Sequence, residues 1–125
     1  MRSLVPADPD AERWLLGALA YRPPNISVVA AGGLEPGHFY DPANGQLYAW
    51  LLQNRSEKSR VGDPRWQALI DAAPQVSRPD LYAAQILLAA ARRELLVAAR
   101  DAQAAILAGD EDALDQAVAR LERRP

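Results

Sequence analysis

One histidine, no cysteine and sixteen carboxylates are the raw material from which this sequence could build a reaction centre. A serine nucleophile needs a histidine base and a carboxylate around it, and the sole candidate base, His38, sits in Pro36-Gly37-His38-Phe39-Tyr40 with no triad about it. That setting reads as a surface or half-buried histidine. Zinc sites draw on several Cys or His ligands, which a chain with one His and no Cys does not have. The single lysine, Lys58, has no glycine loop before it, so the Gly-x4-Gly-Lys-Ser/Thr cradle for nucleotide phosphates is missing. Asp110, Glu111, Asp112 and Asp115 form an acidic cluster, but they lack the glycine and the terminal bidentate Glu of a calcium loop. Helix capping accounts for them better. We assign no catalytic, cofactor-binding or metal-ligating residue, and expect this chain to be non-catalytic and to need no cofactor.

Binding chemistry remains. Arg92, Arg93, Arg100, Arg120, Arg123 and Arg124 could touch nucleic acid, but Glu94, Asp101 and Glu122 are interleaved with them. With a formal charge of −2, they read as solvated helix faces with i,i+4 pairs. Direct DNA contact by this domain alone is not expected. Trp14, Trp50 and Trp66 fall on apolar stripes; packing in a core is the default reading, and one partly exposed Trp as a partner anchor is the other. No run of 18 apolar residues without a charge occurs, so no membrane span is expected. The start, Met1 to Pro6, turns polar too early for a secretory signal. A soluble, cytoplasmic protein is the expectation.

The elements that must position these residues are helices. The 125 residues include 25 Ala and 17 Leu against 7 Val, 4 Ile and no Thr, a balance that favours helix over strand. Three Asp-Pro pairs, Asp8-Pro9, Asp41-Pro42 and Asp63-Pro64, place a capping carboxylate before a proline that loses nothing at a helix start. The spacing predicts helices over 9–21, 24–31, 42–53 and 64–73, with Pro36-Gly37 turning Phe39 and Tyr40 into the core. Ala11, Trp14, Leu15, Ala18 and Leu19 form the inward stripe of the first helix; Leu47, Trp50 and Leu51 form that of the third. Gly45 weakens the first turn of that third helix. The polar segment 54–62 has no period and reads as a loop.

Composition changes after residue 79: between Asp80 and Arg124 there is no Pro, one Gly and 14 of the 25 Ala. The expected fold is all-α, a small globular helical head over 1–76 followed by an antiparallel helical hairpin over 77–125. Its long arm covers about 80–108 and its short arm about 111–124, with Gly109 closing the first and Asp110 capping the second. The long arm carries two seven-residue rows, Leu81, Leu88, Leu95, Ala102 and Ala84, Ala91, Ala98, Ala105, read as the two inward positions of a heptad. Leu114, Val118 and Leu121 of the short arm are their nearest partners. At roughly 1.5 Å per residue the short arm covers about half of the long one. The surplus stripe makes a homo-oligomeric interface through Leu88, Ala91, Leu95, Ala98 and Ala102 an expectation.

The order of these pieces resembles the N-terminal domain of replicative DnaB-type DNA helicases, in a divergent and shortened form. The likeness rests first on Pro6-x4-Ala11-Glu12-x3-Leu16-Gly17-x-Leu19. It continues in Pro36-Gly37-His38-Phe39-Tyr40 and a helix with Leu47-Tyr48 and Leu51, then Leu81-Tyr82-Ala83-x-x-Ile86 and Ala91-Arg92-Arg93-x-Leu95. Two departures stand out: Asn44-Gly45 occupies the place of a usual His-Arg, and segment 54–78 is shorter than in the family. The resemblance implies structural roles for Pro6, Ala11, Glu12, Leu16, Gly17, Phe39 and Tyr40. It also implies a scaffold that pairs subunits into a collar and docks primase or another replication protein. The ATPase motor would lie in a separate RecA-like domain of an ATP-dependent helicase. A stand-alone helicase or primase adaptor or loader, the helicase-binding domain of a primase, and a helical dimer unrelated to replication remain open.

Overall fold

Each Asp-Pro pair starts a helix. In the computed structural model, which describes residues 6–55 and 58–122, Asp8 Oδ1 accepts from Ala11 N–H at 3.0 Å and opens α1 (Pro9–Tyr21). Asp41 accepts from Ala43 N–H at 2.9 Å and opens α3 (Pro42–Gln53). Asp63 accepts from Arg65 N–H at 3.0 Å and opens α4 (Pro64–Ala72). Between α1 and α3 lie α2 (Asn25–Ala31) and a 3₁₀ turn (Pro36–His38). The long helix α5 (Pro79–Ala108) and α6 (Glu111–Glu122) complete an all-helical chain among the described residues.

Residues 7–90 form one compact unit and residues 91–122, with Pro6, another. The boundary thus falls inside α5 rather than at residue 76, because Tyr82, Ala83 and Ile86 belong to the core of the first unit. That core is built around α1, which packs on α4, α3 and α2. Ala11, Leu15, Leu16, Ala18, Leu19 and Ala20 are all fully buried, so α1 buries more than one face, and Trp14 is half-buried beside Tyr82 with ring centroids 5.7 Å apart. Close approach is possible at Gly17, where a Cβ would stand 2.1 Å from the Leu69 carbonyl oxygen of α4.

The stripe expected on α3 is corrected in part. Leu51 is buried, but Leu47 and Trp50 are exposed, and Asn44, Gly45 and Tyr48 face inward in their place. The Tyr48 hydroxyl donates to the Leu34 carbonyl at 2.9 Å, and its burial pushes its pKa up. Residues 58–62, the described end of that polar segment, are strapped down by hydrogen bonds. Arg60 N–H donates to the Ala20 carbonyl at 2.9 Å and the Ser59 hydroxyl to that of Tyr21 at 2.6 Å, so the last carbonyls of α1 gain partners.

In the second unit α5 turns into α6 through Gly109, whose φ of +69° is the left-handed geometry glycine supplies. Asp110 caps α6 by accepting from Ala113 N–H at 3.0 Å. The two helices run antiparallel: Arg120 near the end of α6 pairs with Asp101 of α5 at 2.6 Å. The buried apolar residues of this unit are Ala98, Ala105 and Ala117.

Candidate functional site

Among the described residues no three His, Asp or Glu groups are gathered to hold a metal ion, and no helix is long and apolar enough to cross a membrane. The polar residues that stand out hold the fold. Glu12, 1% exposed, accepts from the backbone N–H of Tyr40 at 2.7 Å and of Asp41 at 3.2 Å, and from the Asn44 amide at 3.1 Å. A buried carboxylate is tolerated because these three donors satisfy it. It also fixes the entrance of α3 onto α1. His38 Nδ1 accepts from Glu35 N–H at 2.9 Å, a local bond that closes the 3₁₀ turn.

The motif residues therefore gather around one construction. Ala11, Leu16 and Phe39 are core, Gly17 admits α4, Glu12 holds the Tyr40–Asp41 backbone, and Tyr40 keeps its ring exposed. Pro6 lies in the other unit, where its carbonyl accepts from Arg93 Nη1 at 2.9 Å. Asn44 and Gly45 have defined work: Asn44 donates to Glu12, and a Cβ on Gly45 would stand 2.8 Å from the Pro36 carbonyl oxygen. Sequence reasoning marked Glu12 through the family resemblance, and its burial partners lie 28 to 32 residues away.

The first exposed apolar surface lies along α5. The expectation that both seven-residue rows face inward is corrected: Leu81, Leu88 and Leu95 are 37%, 52% and 42% exposed. At about 100° per residue, this row lies opposite Tyr82, Ala83, Ile86 and Ala90, the residues that α5 buries in the first unit. Of the remaining interface candidates, Ala91 and Ala102 are half-buried, while Ala98 is buried within the chain itself. On α6 the buried residue is Ala117; Leu114 and Leu121 are half-buried and Val118 is exposed. Small residues between the arms leave the larger ones outside.

The second surface is a cleft of about 240 Å³ between α3 and α4, lined by Leu47, Trp50, Arg65, Trp66 and Leu69. Trp50 stacks on Trp66 with centroids 5.8 Å apart and an interplanar angle of 29°. The Arg60 guanidinium stands 4.8 Å from the Trp50 ring centroid and 5.7 Å from that of Trp66, a cation–π arrangement. Core packing holds for Trp66, whereas Trp50 is 39% exposed. The signal was present in Leu47-Tyr48-Ala49-Trp50-Leu51-Leu52, where apolar residues occupy more of the helix circumference than one core-facing stripe requires.

These features define, among the described residues, an all-helical domain with two exposed apolar surfaces. Its structure is similar to the crystal structure of the N-terminal domain of DnaB helicase from Mycobacterium tuberculosis, with a TM-score of 0.77. The two are 24% identical, and the match covers 95% of this chain and 99% of that one. The chain thus has the fold of a DnaB-helicase N-terminal domain. No family model and no curated protein matches the sequence.

Proposed function

We propose that this chain is the N-terminal scaffold domain of a replicative DNA helicase, working in the cytoplasm, where it pairs subunits and docks primase or another replication protein. It performs no catalysis in this reading; ATP hydrolysis belongs to a separate motor domain, since the chain has no phosphate-binding loop. The observation that carries the proposal is the exposed row Leu81, Leu88, Leu95 on a helix of 30 residues in a domain of this fold. A row of leucines at seven-residue spacing with water on it suits a second helix. The pairing surface is centred on Leu88 and Leu95, with half-buried Ala91 and Ala102 beside them. Ala98 supports it from within the hairpin.

The test is sedimentation equilibrium of the chain, with and without the cognate primase. We expect the wild type to self-associate and Leu95→Asp to weaken association at least about tenfold, as burial of one carboxylate in an apolar seam demands. The helical circular dichroism should stay unchanged. Wild-type sedimentation by Leu95→Asp overturns the pairing surface. A domain that pairs normally but ignores primase overturns the docking role and leaves a dimer unrelated to replication.

A further inference from the structure

The end of the hairpin is as unusual as the cleft, and in the opposite sense. Ile106 and Leu107, in the last turn of α5, are 64% and 81% exposed. Around them the sequence from Asp101 to Ala119 holds five carboxylates and no basic residue. The Trp50–Trp66 cleft has the reverse character. Its floor is Leu47, Trp50, Trp66 and Leu69. Arg65 lines the cleft and Arg60 stands over its Trp rings, and the sequence over 55–65 holds Arg55, Lys58, Arg60 and Arg65 against Glu57 and Asp63. In a chain of net charge −2 this local excess of positive charge stands out. A cavity of about 150 Å³ accommodates a benzene-sized group, so the cleft of about 240 Å³ has room for a leucine side chain.

We propose that the acidic tip of the α5–α6 hairpin of one copy docks into the Trp50–Trp66 cleft of a second copy. Leu107 fills the cleft, and Glu111 and Asp112 face Arg65 and Arg60 on its rim. An apolar anchor entering a pocket within a ring of complementary charge is the arrangement in which a small contact yields specific binding. The contact is heterologous, tip to cleft, and therefore propagates from copy to copy instead of closing on a pair. Combined with pairing along the leucine row it would carry association beyond dimers. It does not depend on the helicase reading.

The experiment is sedimentation velocity of the 125-residue chain over a concentration series, at low and high salt. Four variants are compared with the wild type. Leu107→Gln removes the anchor from an exposed helical site without changing charge, and Leu47→Gln polarises the cleft wall. Glu111→Arg and Arg65→Glu reverse the rim pair singly and together. We expect each Gln variant to weaken association beyond the pair at least about tenfold, and the two combined to cost no more than either one. High salt should weaken the wild-type contact. Each single charge reversal should weaken it, and the double reversal should restore it. In Leu95→Asp the tip contact should survive as concentration-dependent association, so failure of the pairing surface and failure of this contact are separately visible. Wild-type behaviour of Leu107→Gln overturns the proposal. So does loss with Leu107→Gln but not Leu47→Gln, since the tip would then dock elsewhere. No recovery in the double reversal, a strictly monomeric Leu95→Asp, and a tip contact independent of concentration each overturn it as well.

Discussion

Two regions of one chain solve the burial problem differently. In residues 7–90, large side chains meet: Leu15, Leu16, Leu19, Ile26, Tyr48, Leu51 and Ile86 are among the fully buried residues, and Glu12 ties α1 to α3. Among the described residues from 91 onward, the buried apolar side chains are alanines, while Leu95, Val97, Ile106, Leu107 and Val118 stay exposed. One pair of arms linked by Arg120–Asp101 remains. Exposed ion pairs contribute little, and an alanine buries little area. The first region buries its large side chains within the chain; the second leaves several of its own exposed.

The largest test of this contrast compares two leucines. Leu15→Ala should cost about 2–5 kcal/mol, the range for truncating a fully buried leucine. Leu95→Ala, at a side chain 42% exposed, should change the stability of the dilute chain by about 0.5 kcal/mol or less. Its cost should grow with protein concentration as association adds to stability. Urea midpoints at low and high concentration decide it. Equal losses for both variants in the dilute chain would break the comparison, because Leu95 would then belong to a core that the chain itself completes.

The glycines sharpen it from another side and show what could be read from sequence. The Asp-Pro caps were legible because a cap is local chemistry, and α1 and α3 begin and end where their spacing predicts. Whether Leu47 and Trp50 face the core was not legible, since the neighbour that selects the inward face of α3, the 3₁₀ turn at Pro36–His38, is fixed only by folding. The same holds for α5, where a seven-residue spacing identifies a row but not the side from which Tyr82 and Ile86 enter the core. Gly45 reads locally as a helix weakener, yet its missing Cβ lets Pro36 approach. Gly45→Ala gains about 1 kcal/mol of helix propensity and loses about 1–3 kcal/mol to overpacking against backbone, for a net loss of about 1 kcal/mol. Gly37→Ala, with nothing within 4 Å of its new methyl, should gain about 0.4–1 kcal/mol. Thermal unfolding of the two variants checks the opposite signs. Stabilisation by Gly45→Ala would show that the 3₁₀ turn yields, and that the first region is less tightly specified than its burial implies.

The smallest effect concerns charge. Arg65 donates through its guanidinium and its backbone N–H to Asp63, and the guanidinium bonds hold that carboxyl below its ordinary pKa; the Arg78 guanidinium holds the Asp80 carboxyl down in the same direction. Since the folded pKa lies below the unfolded one, the unfolded chain takes up protons first as pH falls. The stability from these pairs is therefore present above the ordinary carboxylate value of about 3.9 and is lost as pH drops through the lower folded value. Asp63→Asn tests this with little loss of capping, because Asn caps nearly as well as Asp. The gap in urea midpoint between wild type and Asp63→Asn should be open at about pH 5 and should close towards about pH 3. A gap of the same size at both values would mean that the contribution of Asp63 does not come from the lowered pKa of its carboxyl. The charge of Arg65 would then be free to serve the rim of the cleft, where its neighbour Asp63 would otherwise compete for it.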